Sequence, residues 1–187
     1  MNIYGAKQLA NSFLTVRKNT IQVAEDIPES QYEYRAAEGT RSVAQTLSHL
    51  AVLTPLWQDI HGTKKLTNME DFDFMAAFAE VEAQENKKRS KAEIIDLLRT
   101  EGEKFAACLE GLTDEDLAQE LTEPGGGAKK TRLEVLMSIK EHEMHHRAQL
   151  MLVERMLGIV PHLTKKYAEM EKQYKEYKQA QAAQQSA

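Results

Sequence analysis

The spacing of apolar positions along the chain predicts four long helices. Apolar residues recur every three or four positions, the period of an amphipathic helix, and no segment alternates long enough to indicate a strand. The first helix is expected from roughly Ala6 to Glu25. Its core-facing positions are Leu9, Phe13, Val16, Thr20 and Val23. The pattern is typical of an all-α protein.

Capping signals mark where the other three helices begin. Each begins with Ser or Thr followed three residues later by Gln or Glu, so the two side chains can satisfy amides of the first turn. These pairs are Ser42 and Gln45, Ser90 and Glu93, and Thr131 and Glu134. Thr113 is expected to cap a short extra helix, and 124–128 to form a link before the fourth long helix, which ends at Gly158 and Pro161.

The connection between the second and third helices determines the expected topology. It spans roughly 27 residues, far more than the few that join antiparallel neighbours. We therefore expect it to cross the length of the bundle, so that helices two and three run parallel. The prediction is a four-helix bundle in up-down-down-up order.

The segment after Pro161 predicts an additional C-terminal helix. Its apolar residues follow one another at spacings of four and three: Leu163, Tyr167, Met170, Tyr174 and Tyr177. We expect two parts, a bundle over 1–160 and an amphipathic helix with a frayed end over 161–187. The apolar face of this helix must pack on its own bundle or on a partner's, and we expect a homodimer.

Composition narrows the classes of partner and location. The net charge of −5, with Lys and Arg spread along the 187 residues, gives no basic face for nucleic acid. No apolar run is long enough to cross a membrane, and no signal peptide is evident at the start. Cys108 is the only cysteine, so no internal disulfide can form. We expect a cytoplasmic protein that acts on small molecules.

Three histidines occupy positions where a helix normally buries aliphatic residues. His49 lies on the apolar stripe of the second helix, and His142 and His146 lie four residues apart on that of the fourth. A buried imidazole needs a polar partner, and one divalent cation can satisfy several. For any one of these histidines, a hydrogen bond to a core carbonyl is the alternative.

The expected topology brings the three histidines to one level. At ~1.5 Å per residue, His49 lies ~10 Å below the top of its helix and the pair lies ~17–23 Å above the bottom of theirs, in a bundle ~30–35 Å tall. Three neutral nitrogen donors would leave one coordination position open, as catalytic sites do. Zn²⁺, Ni²⁺ and Fe²⁺ all accept imidazole, and the ligand set does not choose among them.

The segment from His142 to His146 also matches H-E-x-x-H, the zinc protease motif in which Glu143 would be the general base. The extended metzincin form asks for Gly and His at positions that hold Gln149 and Leu152, and the cleft strand of a protease is missing. Proteolysis is therefore disfavoured.

The remaining candidate groups are expected to have no part in the site. His145 points ~100° away from His146 on the helix and is expected to be exposed or to support a ligand. His61 and His162 lie at helix ends and are expected to face solvent. We expect Cys108 to be a buried, inert thiol and Glu101 to lie on a helix flank.

Two segments resemble the DinB-like (damage-inducible, YfiT-like) family of metal-binding four-helix bundles. They are 38–45, leading to His49, and 142–150, which contains His142, His146 and Gln149. The likeness covers roughly residues 6–158. Ala148 stands where the family often has Gly, and the Tyr-bearing tail is less typical. The resemblance implies that the family's three metal ligands are His49, His142 and His146.

The resemblance also implies a class of activity. Characterised relatives include transferases and isomerases that use a low-molecular-weight thiol such as bacillithiol or mycothiol, and most members have no known reaction. We therefore expect a divalent metal and a thiol cofactor, and a metal-dependent transferase that joins the thiol to small electrophiles. A metal-dependent hydrolase, or a metal-binding stress-response module without turnover, are the alternatives.

Overall fold

A computed structural model describes residues 4–70, 72–122 and 129–185 of the chain. Helices dominate these residues. Their bounds are α1 Ala6–Asp26, α2 Val43–Val52, α3 Thr54–Gln58, α4 Phe74–Glu85, α5 Lys91–Glu110, α6 Asp114–Ala118, α7 Arg132–Met156 and α8 His162–Gln185. A 3-10 turn at Glu29–Gln31 follows α1, and a π-helical turn at Asp59–Thr63 continues α3. The expected link at 124–128 lies outside the described residues.

The core shows how the four helices of the bundle, α1, α2, α5 and α7, run. At one end, the last turn of α1 packs with the first turns of α2 and α5 and the last turns of α7, through residues such as Val23, Val43, Ile94 and Val153. At the other end, the start of α1 packs with the end of α5 and the start of α7. Helices α2 and α5 therefore run parallel to each other and opposite to α1 and α7. This confirms the up-down-down-up bundle.

The predicted capping boxes are all present. The Gln45 amide donates to Ser42 Oγ at 3.2 Å, and Gln45 Oε1 accepts from the Ser42 amide at 3.0 Å. The reciprocal bonds also occur at Ser90 and at Thr131. Local sequence therefore fixes where α2, α5 and α7 begin, and so fixes the height of the side chains they carry.

Two elements depart from the sequence expectation. The long crossover contains helix α4, whose first turn is capped by Asp73 through a bond from the Ala76 amide at 2.9 Å. A small antiparallel pair of strands, β1 Glu120–Leu121 and β2 Lys130–Thr131, precedes α7. The strands are two residues long, too short for an alternating pattern to reveal.

Helix α8 contacts the bundle at its beginning and leaves its apolar stripe uncovered. Tyr167 is 67 % exposed, and Met170, Tyr174 and Tyr177 are also more than half exposed. The structure therefore does not show this stripe packed against its own bundle. None of the described helices combines the length and the apolar composition that a membrane span requires. The division of the chain near Pro161 stays a prediction.

Candidate metal centre

The three histidines of the predicted site meet between α2 and α7. His142 Nε2 lies 3.4 Å from His49 Nε2 and 3.1 Å from His146 Nε2. The three ligand atoms all lie within 4.8 Å of one another, and among the described residues this is the one His, Cys, Asp and Glu group so placed. The cluster could hold a metal ion.

Hydrogen bonds at the far side of two rings fix which nitrogen carries the proton. His49 Nδ1 lies 3.1 Å from Glu85 Oε2, and His146 Nδ1 lies 2.8 Å from Gln149 Oε1. Both oxygens can only accept, so Nδ1–H donates in each pair. The Nε2 atoms of both neutral rings therefore present lone pairs to the centre of the cluster, as metal ligands do.

The environment also favours the neutral form of the rings. Burial is the main cause that lowers the pKa of His49 and of His142 to about 4, and the neighbouring charges of Arg41 and His146 lower it further. Burial lowers the pKa of His146 as well. Neutral imidazole is the form that binds metal, so the site does not have to lose protons to bind an ion near neutral pH.

The separations between nitrogens fit a small divalent ion. With metal–nitrogen bonds of ~2.0–2.1 Å, a tetrahedral site places its donors ~3.3 Å apart. Two of the three separations, those of His142 Nε2 from His146 Nε2 and from His49 Nε2, are 3.1 and 3.4 Å and match that edge length. The three imidazole donors therefore suit Zn²⁺. They also suit Ni²⁺ and Fe²⁺, which accept the same type of ligand.

Glu143 of the H-E-x-x-H match does not face the cluster. Its carboxylate accepts from Arg17 Nε at 2.9 Å and from Arg17 Nη2 at 2.9 Å, and both side chains are buried. A glutamate held in this way is unavailable as a general base. The structure therefore supports the sequence argument against a protease.

Two of the other candidate groups, His145 and Glu101, lie where the sequence analysis expects them. His145 is exposed and accepts from Gln149 Nε2 at 3.1 Å, so it supports the side chain that orients His146. Glu101 pairs with Lys104 on the surface of α5. Cys108, which is expected to be buried, is only half-buried, next to Gly62, and this burial raises the pKa of its thiol.

The expectation that His61 and His162 face solvent is wrong. His61 is 1 % exposed, stacks on Trp57, and lies 3.1 Å from Nη1 of the buried Arg132. The π-helical turn carries it inward, because that turn continues the helix past its expected end. His162 is half-buried, with Nε2 3.2 Å from Asn19 Oδ1 on α1. The beginning of α8 docks there.

Glu85 is the functional residue that sequence reasoning misses. It ends α4, where Phe74, Phe78 and Val81 precede it at spacings of four and three. An acid at the next position of an apolar stripe is the same signal that identifies the histidines. Its second oxygen, Oε1, accepts from Arg41 Nε at 2.6 Å, so Arg41, Glu85 and His49 form a chain that leads to the cluster.

A cavity of about 870 Å³ adjoins the cluster. His49 and His146 form part of its wall, together with residues from α2, α4, α7 and the loop before α2. A volume of this size accommodates a small molecule. The arrangement can therefore bring an ion held by the three imidazoles into contact with an organic ligand.

The chain is similar to known bacterial proteins over most of its length. The DinB family model matches residues 1–183. The uncharacterized protein YjoA of Bacillus subtilis (strain 168) is 28 % identical over 154 residues, which cover 82 % of this chain and 91 % of YjoA. The crystal structure of YjoA from Bacillus subtilis superposes with a TM-score of 0.60 at 26 % identity, covering 81 % of this chain and 92 % of that one.

Two more distant structures share the fold. YfiT from Bacillus subtilis, described as a probable metal-dependent hydrolase with an unusual four-helix bundle topology, has a TM-score of 0.66 at 19 % identity, with 85 % of this chain and 91 % of YfiT covered. A mycothiol-dependent maleylpyruvate isomerase has a TM-score of 0.61 at 10 % identity, with 79 % and 61 % covered. Since the family model spans nearly the whole chain, the protein belongs to the DinB family.

Proposed function

We propose that His49, His142 and His146 bind one divalent metal ion and that the protein transfers a low-molecular-weight thiol to small electrophiles. The observation that carries this proposal is the position of three convergent Nε2 atoms at the wall of a cavity large enough for a small molecule. A bound ion would stabilise the thiolate form of the thiol, which is the nucleophilic form. Zn²⁺, Ni²⁺ and Fe²⁺ are the candidates.

The contacts of the neighbouring carboxylate support an open fourth position. Glu85 directs one oxygen to His49 Nδ1 and the other to Arg41, and so faces the outer side of the ring. Among the described residues, the metal-ligating group consists of the three histidines alone. A thiol from the cavity would therefore have access to an ion held by His49, His142 and His146.

The chain's own residues would position the reactants. Glu85 and Gln149 hold the His49 and His146 rings with Nε2 directed to the centre, which fixes the donor geometry before any ligand enters. The cavity would hold the electrophile beside the same two rings, which form part of its wall. Proximity of two bound reactants is the main gain that such a site offers.

Hydrolysis is the second candidate, because YfiT is described as a probable metal-dependent hydrolase and a bound ion would also lower the pKa of water. A general base within reach of the ion would favour hydrolysis. Glu143 is held by Arg17, and of the acids that line the cavity, Glu85 is held by His49 and Arg41 while Glu82 is exposed. These contacts favour transfer.

The proposal includes a cytoplasmic location and a homodimer. A single cysteine leaves no internal disulfide, which suits a reducing compartment in which a thiol cofactor stays reduced. The uncovered stripe of α8 offers a surface for a second copy.

A conjugation assay tests the proposed activity. The purified protein, freed of metal and reloaded with Zn²⁺, Ni²⁺ or Fe²⁺, would be mixed with chlorodinitrobenzene and cysteine, glutathione or bacillithiol. Transfer forms the sulfur–carbon bond and releases chloride and the thiol proton. We expect metal-dependent conjugation that His146→Ala abolishes. Hydrolysis of nitrophenyl acetate without conjugation would support the hydrolase instead, and a metal-loaded protein inactive in both assays would support a binding module.

A further inference from the structure

The cavity beside the histidine cluster has two chemically different walls. The loop before α2 contributes two arginines, Arg35 and Arg41, while α4 and α7 contribute the apolar side chains Phe78 and Leu152. His49 and His146 lie in the same cavity. A ligand that reaches the imidazoles therefore meets both a cationic and an apolar surface.

The two arginines are held in place while keeping donors available. Arg41 Nε donates to Glu85, and Arg35 Nη1 donates to the carbonyl of Thr40. These contacts engage one nitrogen of each guanidinium, which carries five N–H donors in a planar fork. The Arg41 side chain is 45 % exposed, so the rest of its fork is accessible. Such forks match the geometry of a carboxylate.

The apolar wall consists of side chains that the protein leaves uncovered. Phe78 is 42 % exposed and Leu152 is 59 % exposed, and both line the cavity. They belong to different helices, α4 and α7. An apolar group placed between them would remove both from water, which is favourable.

The charges that line the cavity indicate whether its ligand is an anion or a cation. Within the lining, the two arginines Arg35 and Arg41 offset the two glutamates Glu82 and Glu85. The divalent ion of the proposed function would add two positive charges to this balanced wall. An anionic ligand would compensate for them, whereas an ammonium group would not.

We propose that the substrate or thiol adduct held in this cavity is an amphipathic organic acid. Its carboxylate binds Arg35 and Arg41, and its apolar body lies between Phe78 and Leu152. This inference rests on the proposed function for its reacting end, which would lie beside His49 and His146. Neutral apolar molecules and short acids without an apolar body each use only half of the site.

Calorimetric titration of the zinc-loaded protein tests this selection. The reference probe is phenylbutanoate. Phenylbutanol removes its negative charge, phenylbutylamine replaces that charge with a positive one, and butanoate removes the phenyl group. We expect phenylbutanoate to bind at least about tenfold more tightly than each of the others, because a charge-assisted hydrogen bond contributes that much. Equal binding of the acid and the alcohol would overturn the proposal.

Variants separate arginine binding from binding to the metal alone. Arg35→Gln is preferred to an Arg41 change because Arg41 donates to Glu85, which orients His49, whereas Arg35 donates to the carbonyl of Thr40. Arg35→Gln should weaken phenylbutanoate about tenfold, and Phe78→Ala should weaken it several-fold. The matched controls are Arg99→Gln and Met144→Ala, whose side chains lie outside the cavity lining. If Arg35→Gln has no effect and metal removal abolishes binding, the carboxylate binds the ion and the proposal is wrong.

The two proposals can fail separately. Selective binding of phenylbutanoate without any conjugation would leave the acid site standing and reject the transferase. Conjugation that proceeds equally with neutral and acidic electrophiles, without selective acid binding, would keep the transferase and reject the acid site.

Discussion

Arg17 and Glu143 form a bidentate ion pair in the centre of the bundle, with Nε 2.9 Å from Oε1 and Nη2 2.9 Å from Oε2. The same guanidinium donates to the carbonyl of Leu98 on α5 at 2.9 Å and of Leu50 on α2 at 3.0 Å. One side chain therefore links all four helices of the bundle, α1, α2, α5 and α7. Gly102 makes room for it, since a Cβ there would lie 2.9 Å from Arg17 Cγ.

Glu143→Gln should destabilise the fold while leaving metal binding intact. It leaves the buried Arg17 charge without its partner, a change that costs ~3 kcal/mol or more. Urea unfolding would measure the loss, with Glu103→Gln on the exposed face of α5 as the control. Metal content at low temperature should match that of the unchanged protein. Full stability together with lost activity would instead make Glu143 a general base, as in proteases.

Glu154 should make stability depend on pH. The side chain is 0 % exposed and its oxygens accept no hydrogen bond within the described part of the chain. Burial, and then the charge of Asp26, raise the pKa of Glu154 to about 7. The folded state thus binds the proton more tightly than the unfolded state, so stability falls as pH rises from about 4.5 to 7.

Glu154→Gln removes this titration. We expect the substitution to be more favourable at pH 8 than at pH 4.5. The change that it causes in the free energy of unfolding should be higher at pH 8 by on the order of 2 kcal/mol. Urea unfolding at the two pH values measures the difference, and Glu103→Gln controls for the lost charge. A Glu154→Gln effect that is the same at both pH values would show that the buried carboxyl does not titrate in this range.

Glu85→Ala should weaken metal binding although Glu85 is not proposed as a ligand. Without the acceptor at Nδ1, the His49 ring loses its fixed orientation and tautomer, and such losses reduce metal affinity ~10–100-fold. Competition with a chromogenic chelator measures the affinity. Glu82→Ala removes an equal charge from the same cavity and should have a much smaller effect. If the two changes weaken metal binding equally, Glu85 acts only through its negative charge and not by orienting the His49 ring.

Sequence patterns are sufficient for most of the bundle because its helices carry their own start signals. The Ser42, Ser90 and Thr131 caps fix the helix beginnings, and the three-and-four spacing fixes the buried faces. The long crossover then fixes the direction of α5. His49, His142 and His146 follow from these features, since each lies on a buried stripe at a level that the caps determine.

Contacts made across the fold are what the sequence does not reveal. Helix α4 has a side-chain cap but a weak apolar face, so its pattern stands out little, and Glu85 is missed with it. His61 is buried because Arg132, roughly 70 residues away, supplies its partner. The local pattern identifies a helix end at His61, but it does not reveal that the Arg132 guanidinium packs against this histidine in the fold.

The uncovered stripe of α8 leads us to expect a homodimer in solution. Sedimentation of the full chain at tens of micromolar should show twice the chain mass. Replacing both Met170 and Tyr174 with Glu should shift it toward monomer, because charges would replace apolar contacts, whereas Gln173→Glu, next to the stripe, should not. A monomeric unchanged protein would refute the dimer. An unaltered dimer in the double variant would refute only the role of α8.

The metal content of purified His146→Ala and His145→Ala, measured side by side with the unchanged protein, tests the three-histidine site most directly. The unchanged protein should carry about one divalent ion per chain. His146→Ala should lose most of it, because two imidazoles seldom hold a divalent ion tightly, while His145→Ala should keep nearly all. Full occupancy in His146→Ala, at unchanged helical content, would contradict the assignment of His49, His142 and His146 as the ligands.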